Sequence, residues 1–173
     1  MSEEPRLRIG VSSCLLGEEV RYDGGHKREA VLVEVLGREV EWVPVCPEVE
    51  IGLGTPRPPM NLVRIGGETR LITAETGADH TAAMRSYAER RVEELAGERL
   101  AGYIFKKDSP SCGLDRVKLY PAAGGDPTRE ARGLFAEALV RRFPDLPVEE
   151  EDGLRDPVRR ERFLSRVRSH REG

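Results

Sequence analysis

The chain reads as an α/β protein: a single-domain, three-layer, Rossmann-like open sheet, mostly parallel, with helices on both faces. Three observations predict it. Short β-rich apolar runs recur along the chain, and amphipathic stretches at helical spacing separate them. Their alternation implies parallel strands joined through helical crossovers.

The strand candidates are LRIGVSS at 7–13, EVEWVPV at 39–45 and AGYIFKK at 101–107. Between the first two, KREAVLVEVLGR at 27–38 places Val31, Leu32, Val35 and Leu36 on one helical face, with Gly37 set to stop the helix. A second helix is expected from Asp79, as N-cap, through Met84, Tyr87, Ala88, Val92 and Leu95 to Gly97. A third, over 127–143, gathers Leu134, Phe135, Ala138, Leu139 and Phe143 on one face, and LPVEEE after it reads as a short strand. The segment from Asp156 to His170 sets Val158, Phe163, Leu164 and Val167 among arginines, as a surface helix does. The stretch at 51–67, IGLGTPRPPMNLVRIGG, is read as an irregular loop because of its Gly and Pro content, and loops of that length commonly shape a site.

One domain over 1–173 follows from the length of 173 residues, from 38% hydrophobic residues, and from the absence of repeats or linkers. Basic and acidic residues nearly cancel to a net charge of -3, so no basic field invites nucleic acid. The start MSEEPRLRIG lacks an apolar signal core, and nothing approaches the roughly 20 apolar residues of a membrane span. A cytoplasmic protein is expected, with a monomer slightly favoured.

In such a compartment structural disulfides are uncommon, so three cysteines are either core filler or chemically employed. Their neighbourhoods point to employment. Cys14 follows the first strand in VSSCLLG, Cys46 the second in VPVCPE, and Cys112 the third in KKDSPSCG. The carboxyl ends of parallel strands share one edge, so three thiols distant in sequence become neighbours in space. Three convergent thiolates suit a metal. Zinc, with His26 or His80 as a fourth ligand, is one occupant, although zinc ligands usually come as close CxxC pairs and none exists here. A cubane iron-sulfur cluster, whose corners are spread wider, is the other. Spacing does not choose between them. GLGTPRPP lacks the Lys-Ser/Thr ending of a phosphate loop, which excludes nucleoside triphosphate binding on that motif.

Six strings, VSSCLLG, RYDGGHK, VPVCPE, GLGTPRPP, TGAD and KKDSPSCG, stand in order between Ile9 and Gly113. Together they resemble the thiouracil desulfidase family, a prokaryotic family long known only as a domain of unknown function. The resemblance implies a 4Fe-4S cluster held by Cys14, Cys46 and Cys112, with a fourth iron open to the sulfur of a small thiolated heterocycle such as thiouracil. It implies hydrolytic desulfuration, with sulfur leaving as hydrogen sulfide and no net redox change. Such chemistry needs a proton handler, and Glu48, two residues after Cys46, is the best-placed carboxylate, with Ser109 as its companion and Ser111 able to take the place of Ser109. Tyr22 and Asp23 are candidates for the substrate wall, an aromatic face and an acceptor, although Asp23-Gly24-Gly25 equally suits a tight turn. Two rival functions use the same thiols: a sulfurtransferase in thiolated nucleoside or tRNA metabolism, which the net charge disfavours, and a non-catalytic redox sensor.

Overall fold

A computed structural model of the chain describes residues 6–17, 22–23, 25, 29–30, 34 and 36–172. The expected helix at 27–38 falls largely outside these residues, as does His26. Four strands, β1 (Leu7–Ser12), β2 (Val40–Val45), β5 (Gly102–Phe105) and β8 (Val148–Glu150), form a fully parallel sheet in the order β2-β1-β5-β8. The chain passes from β1 to β2 on one side and later to β5 on the other, so strand order reverses at β1. That is where an open parallel sheet makes its crevice.

The alternation of side chains along β1 and β5 explains why helices cover both faces. Ile9, Val11 and Ile104 point to one side and pack with Phe163, Leu164 and Val167 of α4 (Pro157–Glu172). Tyr103 and Phe105 point to the other and join Met84, Tyr87, Val92 and Leu95 of α2 (Thr81–Ala96), and Phe135 and Leu139 of α3 (Leu134–Arg142). Gly10 makes room on that second face, where an added Cβ would lie 2.3 Å from the Tyr103 ring. The α2 helix begins one residue later than expected, with His80 rather than Asp79 at the N-cap, while the Asp79 carboxylate still accepts the Thr81 N–H at 2.8 Å.

The sequence reading misses a second sheet. β3 (Met60–Ile65), β4 (Glu68–Thr73), β6 (Val117–Pro121) and β7 (Thr128–Ala131) assemble in the order β4-β3-β6-β7, with β3–β6 parallel and the outer pairs antiparallel. The expected loop at 51–67 is therefore irregular only up to Pro59. From Met60 the chain is a strand whose inward Met60 and Leu62 reach the core with Leu71 of β4, and Gly66 and Gly67, both at positive φ, close the hairpin. The helix expected over 127–143 begins later, at Leu134, because 128–131 pairs with β6 as an edge strand. Among the described residues no helix is long and apolar enough to cross a membrane.

Candidate active site

Past Ser12 the chain makes a 3-10 turn, Ser13–Leu16, that carries Cys14 and closes with Gly17 in the left-handed region. Past Val45, Cys46 is the N-cap of the four-residue helix α1 (Pro47–Glu50), and its backbone N–H donates to Glu50 Oε2 at 2.9 Å. Past Phe105, the segment from Lys106 to Cys112 folds back as a tight loop. Within it Ser109 Oγ accepts the N–H groups of Ser111 and Cys112 at 3.3 and 3.0 Å and lies 3.2 Å from Ser111 Oγ. Ser109 therefore builds the turn that presents Cys112.

The start of α3 locks this loop from behind. The N–H groups of Phe135 and Ala136 donate to Ser111 O at 3.0 and 3.1 Å, and that of Leu134 to Pro110 O at 3.2 Å. These are first-turn donors that the helix itself cannot satisfy. Gly133 allows the approach, because a Cβ there would meet Ser111 C and O at 2.5 Å and Cys112 N at 2.9 Å.

All three cysteines line one cavity of about 410 Å³, a volume within the range of small-molecule sites. Glu48, Ser109, Ser111 and Tyr22 line it too. Asp23 is not among the lining residues: it is exposed, and its Oδ1 accepts the Gly25 N–H at 2.8 Å, the turn geometry that its sequence context allows. His80 also lies outside the cavity lining, its Nε2 2.8 Å from Thr73 Oγ1. A larger groove, about 1180 Å³, runs between α2, α3 and the second sheet, but it contains no cysteine and much of its charge is paired, as in Arg64–Glu130 at 2.8 Å and Arg142–Glu93 at 2.6 Å.

Burial dominates the thiol electrostatics. It pushes the Cys112 thiol well above its ordinary range, against hydrogen bonds from the Ser12 and Ser111 hydroxyls that favour thiolate, while negative charge at Cys46 and Glu48 pushes it further. Burial also raises Cys46, opposed by the Val49 N–H and by Arg57. A cation bound at these sulfurs would favour thiolate and so oppose the effect of burial. Among the described residues no three His, Cys, Asp or Glu side chains gather closely enough to hold a single metal ion.

Two lining residues that the sequence did not single out fix the wall. Ser12 is buried, and its Oγ accepts the Lys106 N–H at 3.1 Å, tying the end of β1 to the end of β5. Arg57, the one charge in GLGTPRPP, is buried, and its Nη2 donates to Glu48 Oε2 at 2.7 Å. A single arginine between prolines was the available signal, since the loop reading left it no other duty.

Residues 9–151 match the model of the 2-thiouracil desulfurase family. The chain belongs to that family. A solved member of similar architecture, the [4Fe-4S]-dependent thiouracil desulfidase TudS, superposes with a TM-score of 0.68 at 36% identity, over 86% of this chain and 93% of that one. The uncharacterized protein YbbK of Bacillus subtilis (strain 168) is 32% identical over 111 residues, 61% of this chain and 72% of YbbK. The family match spans all three cysteines, Glu48, Arg57 and the Ser109–Cys112 loop.

Proposed function

We propose that this chain removes sulfur from 2-thiouracil or a closely related thiopyrimidine, with a 4Fe-4S cluster held by Cys14, Cys46 and Cys112. The observation that carries this is the convergence of three cysteines, from the ends of three adjacent parallel strands, on one cavity that also holds Glu48. The donor set fits the cluster in kind: sulfur is the ligand iron-sulfur clusters take, and the three thiols stand on separate loops around one cavity. When bound, a cluster with one iron free of protein ligands supplies a soft Lewis acid with a preference for sulfur.

The chain's own residues do the rest. Tyr22, at the exposed rim of the cavity, offers an aromatic wall to a planar ring. Glu48 takes one proton from the water that attacks the thiocarbonyl carbon and returns it to the sulfur, then relays the second from the new hydroxyl as the carbonyl forms and sulfur departs. Ser109, whose Oγ accepts two backbone N–H groups and lies 3.2 Å from Ser111 Oγ, turns its hydroxyl hydrogen from Ser111 to a ring heteroatom when substrate binds. One water enters, carbon exchanges sulfur for oxygen, and hydrogen sulfide leaves, so the step is hydrolytic and balanced without a redox partner. The chain acts as one domain and a monomer in the cytoplasm, on a small heterocycle rather than RNA, in keeping with a net charge of -3.

The test is anaerobic turnover by cluster-loaded protein. Uracil and sulfide should appear in equal amounts from 2-thiouracil, and a fully loaded protein that releases neither would overturn the assignment.

A further inference from the structure

Arg57 is an expensive residue for this fold to keep. Its side chain is 4% exposed, its Nε is buried with no hydrogen-bond partner among the described residues, and its carboxylate partner, Glu48, is 17% exposed. Removing a guanidinium from water and leaving one of its donors unmet costs stability that a single buried pair seldom returns. The remaining contacts show what the cost secures. Nη1 donates to Gly54 O at 2.9 Å and reaches Thr55 Oγ1 at 3.5 Å, while Nη2 holds Glu48 Oε2 at 2.7 Å. The Arg57 backbone N–H donates to Tyr22 O at 2.6 Å, so the same residue braces Tyr22, the aromatic wall.

Glu48 needs such a brace. It sits in a helix of one turn, Pro47–Glu50, whose few internal bonds restrain a side chain weakly. A planar fork fixed at one end to the Gly54 carbonyl and the Thr55 hydroxyl and at the other to a carboxylate oxygen sets where that carboxylate points.

We propose that Arg57 is the positioning residue that aims the Glu48 carboxylate into the cavity, with its backbone setting the Tyr22 wall. This deepens the desulfidase assignment and rests on it. Arg57 acts through Glu48, so its loss matters only while Glu48 can work.

The experiment is a double-mutant cycle on cluster-loaded protein, with iron content, 2-thiouracil binding (read from the cluster's visible absorption) and turnover measured for each variant. Arg57→Met should keep iron and bind thiouracil within a few-fold of wild type. Its kcat should fall by about 10- to 100-fold, the usual range for outer-shell partners of a reactive group. In a Glu48→Gln background the same substitution should cost at most about threefold. Arg57→Lys, which retains the charge and one donor, should recover part of the kcat, and it serves in place of Arg57→Met if the latter fails to load cluster. Equal losses in both backgrounds, a wild-type kcat, or lost binding with kcat intact would overturn the inference while leaving the function standing. A loaded wild-type protein without turnover would overturn the function and this inference with it.

Discussion

One methyl group at Gly133 should cost this protein both stability and its hold on iron. The backbone there, φ -58 and ψ 147, is open to alanine, so Gly133→Ala carries no dihedral penalty and its effect is steric. The new Cβ would lie 2.5 Å from Ser111 C and O and 2.9 Å from Cys112 N, all backbone atoms in a buried loop. Reaching even 3.0 Å requires α3 and the Ser109–Cys112 loop to separate by about half an ångström. That stretches the bonds from Phe135 and Ala136 to Ser111 O and shifts the Cys112 backbone. Overpacking of this kind costs about 1–3 kcal/mol, a drop in Tm of roughly 2–12 °C for a chain of this size. With Cys112 as a proposed cluster ligand, such misaiming should weaken metal retention by about 10- to 100-fold. Thermal denaturation, together with iron remaining after anaerobic dialysis against a chelator, checks both. Wild-type Tm and wild-type iron retention in Gly133→Ala would refute the view that the start of α3 positions Cys112.

Replacing Cys14, Cys46 or Cys112 by Ser should abolish turnover and lower iron content with the fold largely kept, since serine is a harder and poorer ligand for iron; iron and sulfide assays with circular dichroism on each variant decide it, and a variant with full iron and full activity would mark its cysteine as core filler. Glu48→Gln should keep the cluster and bind thiouracil while kcat falls by about 10²- to 10⁴-fold, the usual worth of general acid–base catalysis. A loaded variant with wild-type turnover would move proton handling elsewhere. At the start of α2, hydrogen bonds from the Thr81 hydroxyl and N–H, with a smaller contribution from Arg70, lower the Asp79 carboxyl to about 2. Its stabilisation should be whole above the unfolded value near 3.8 and lost as pH falls through about 2, so the Tm deficit of Asp79→Asn should shrink over that window.

What was legible in the sequence was what local chemistry determines. β1, β2 and β5 carry compact apolar runs, α2 and α4 carry helical periodicity, and cysteines just past three strand ends must meet once those strands are parallel neighbours. The second sheet was hidden because its strands alternate apolar with polar residues and are laced with charge. In MNLVRI and ETRLIT only alternate residues turn inward, and the Gly and Pro of 51–59 weighed on the whole stretch. Gly66-Gly67 between two alternating runs was a hairpin signal that a finer division at Pro59 would have used. Ser12 was beyond reach for a different reason, and Arg57 was marked only by its isolation between prolines. Their importance comes from which long-range partners they meet, Glu48 across a loop and Lys106 across the sheet, and spacing in sequence does not encode that.

The most direct test of the account is the iron and acid-labile sulfide content of protein prepared without oxygen. About four of each per chain, bound through all three cysteines, is the predicted result; zinc alone, or iron without acid-labile sulfide, would contradict it.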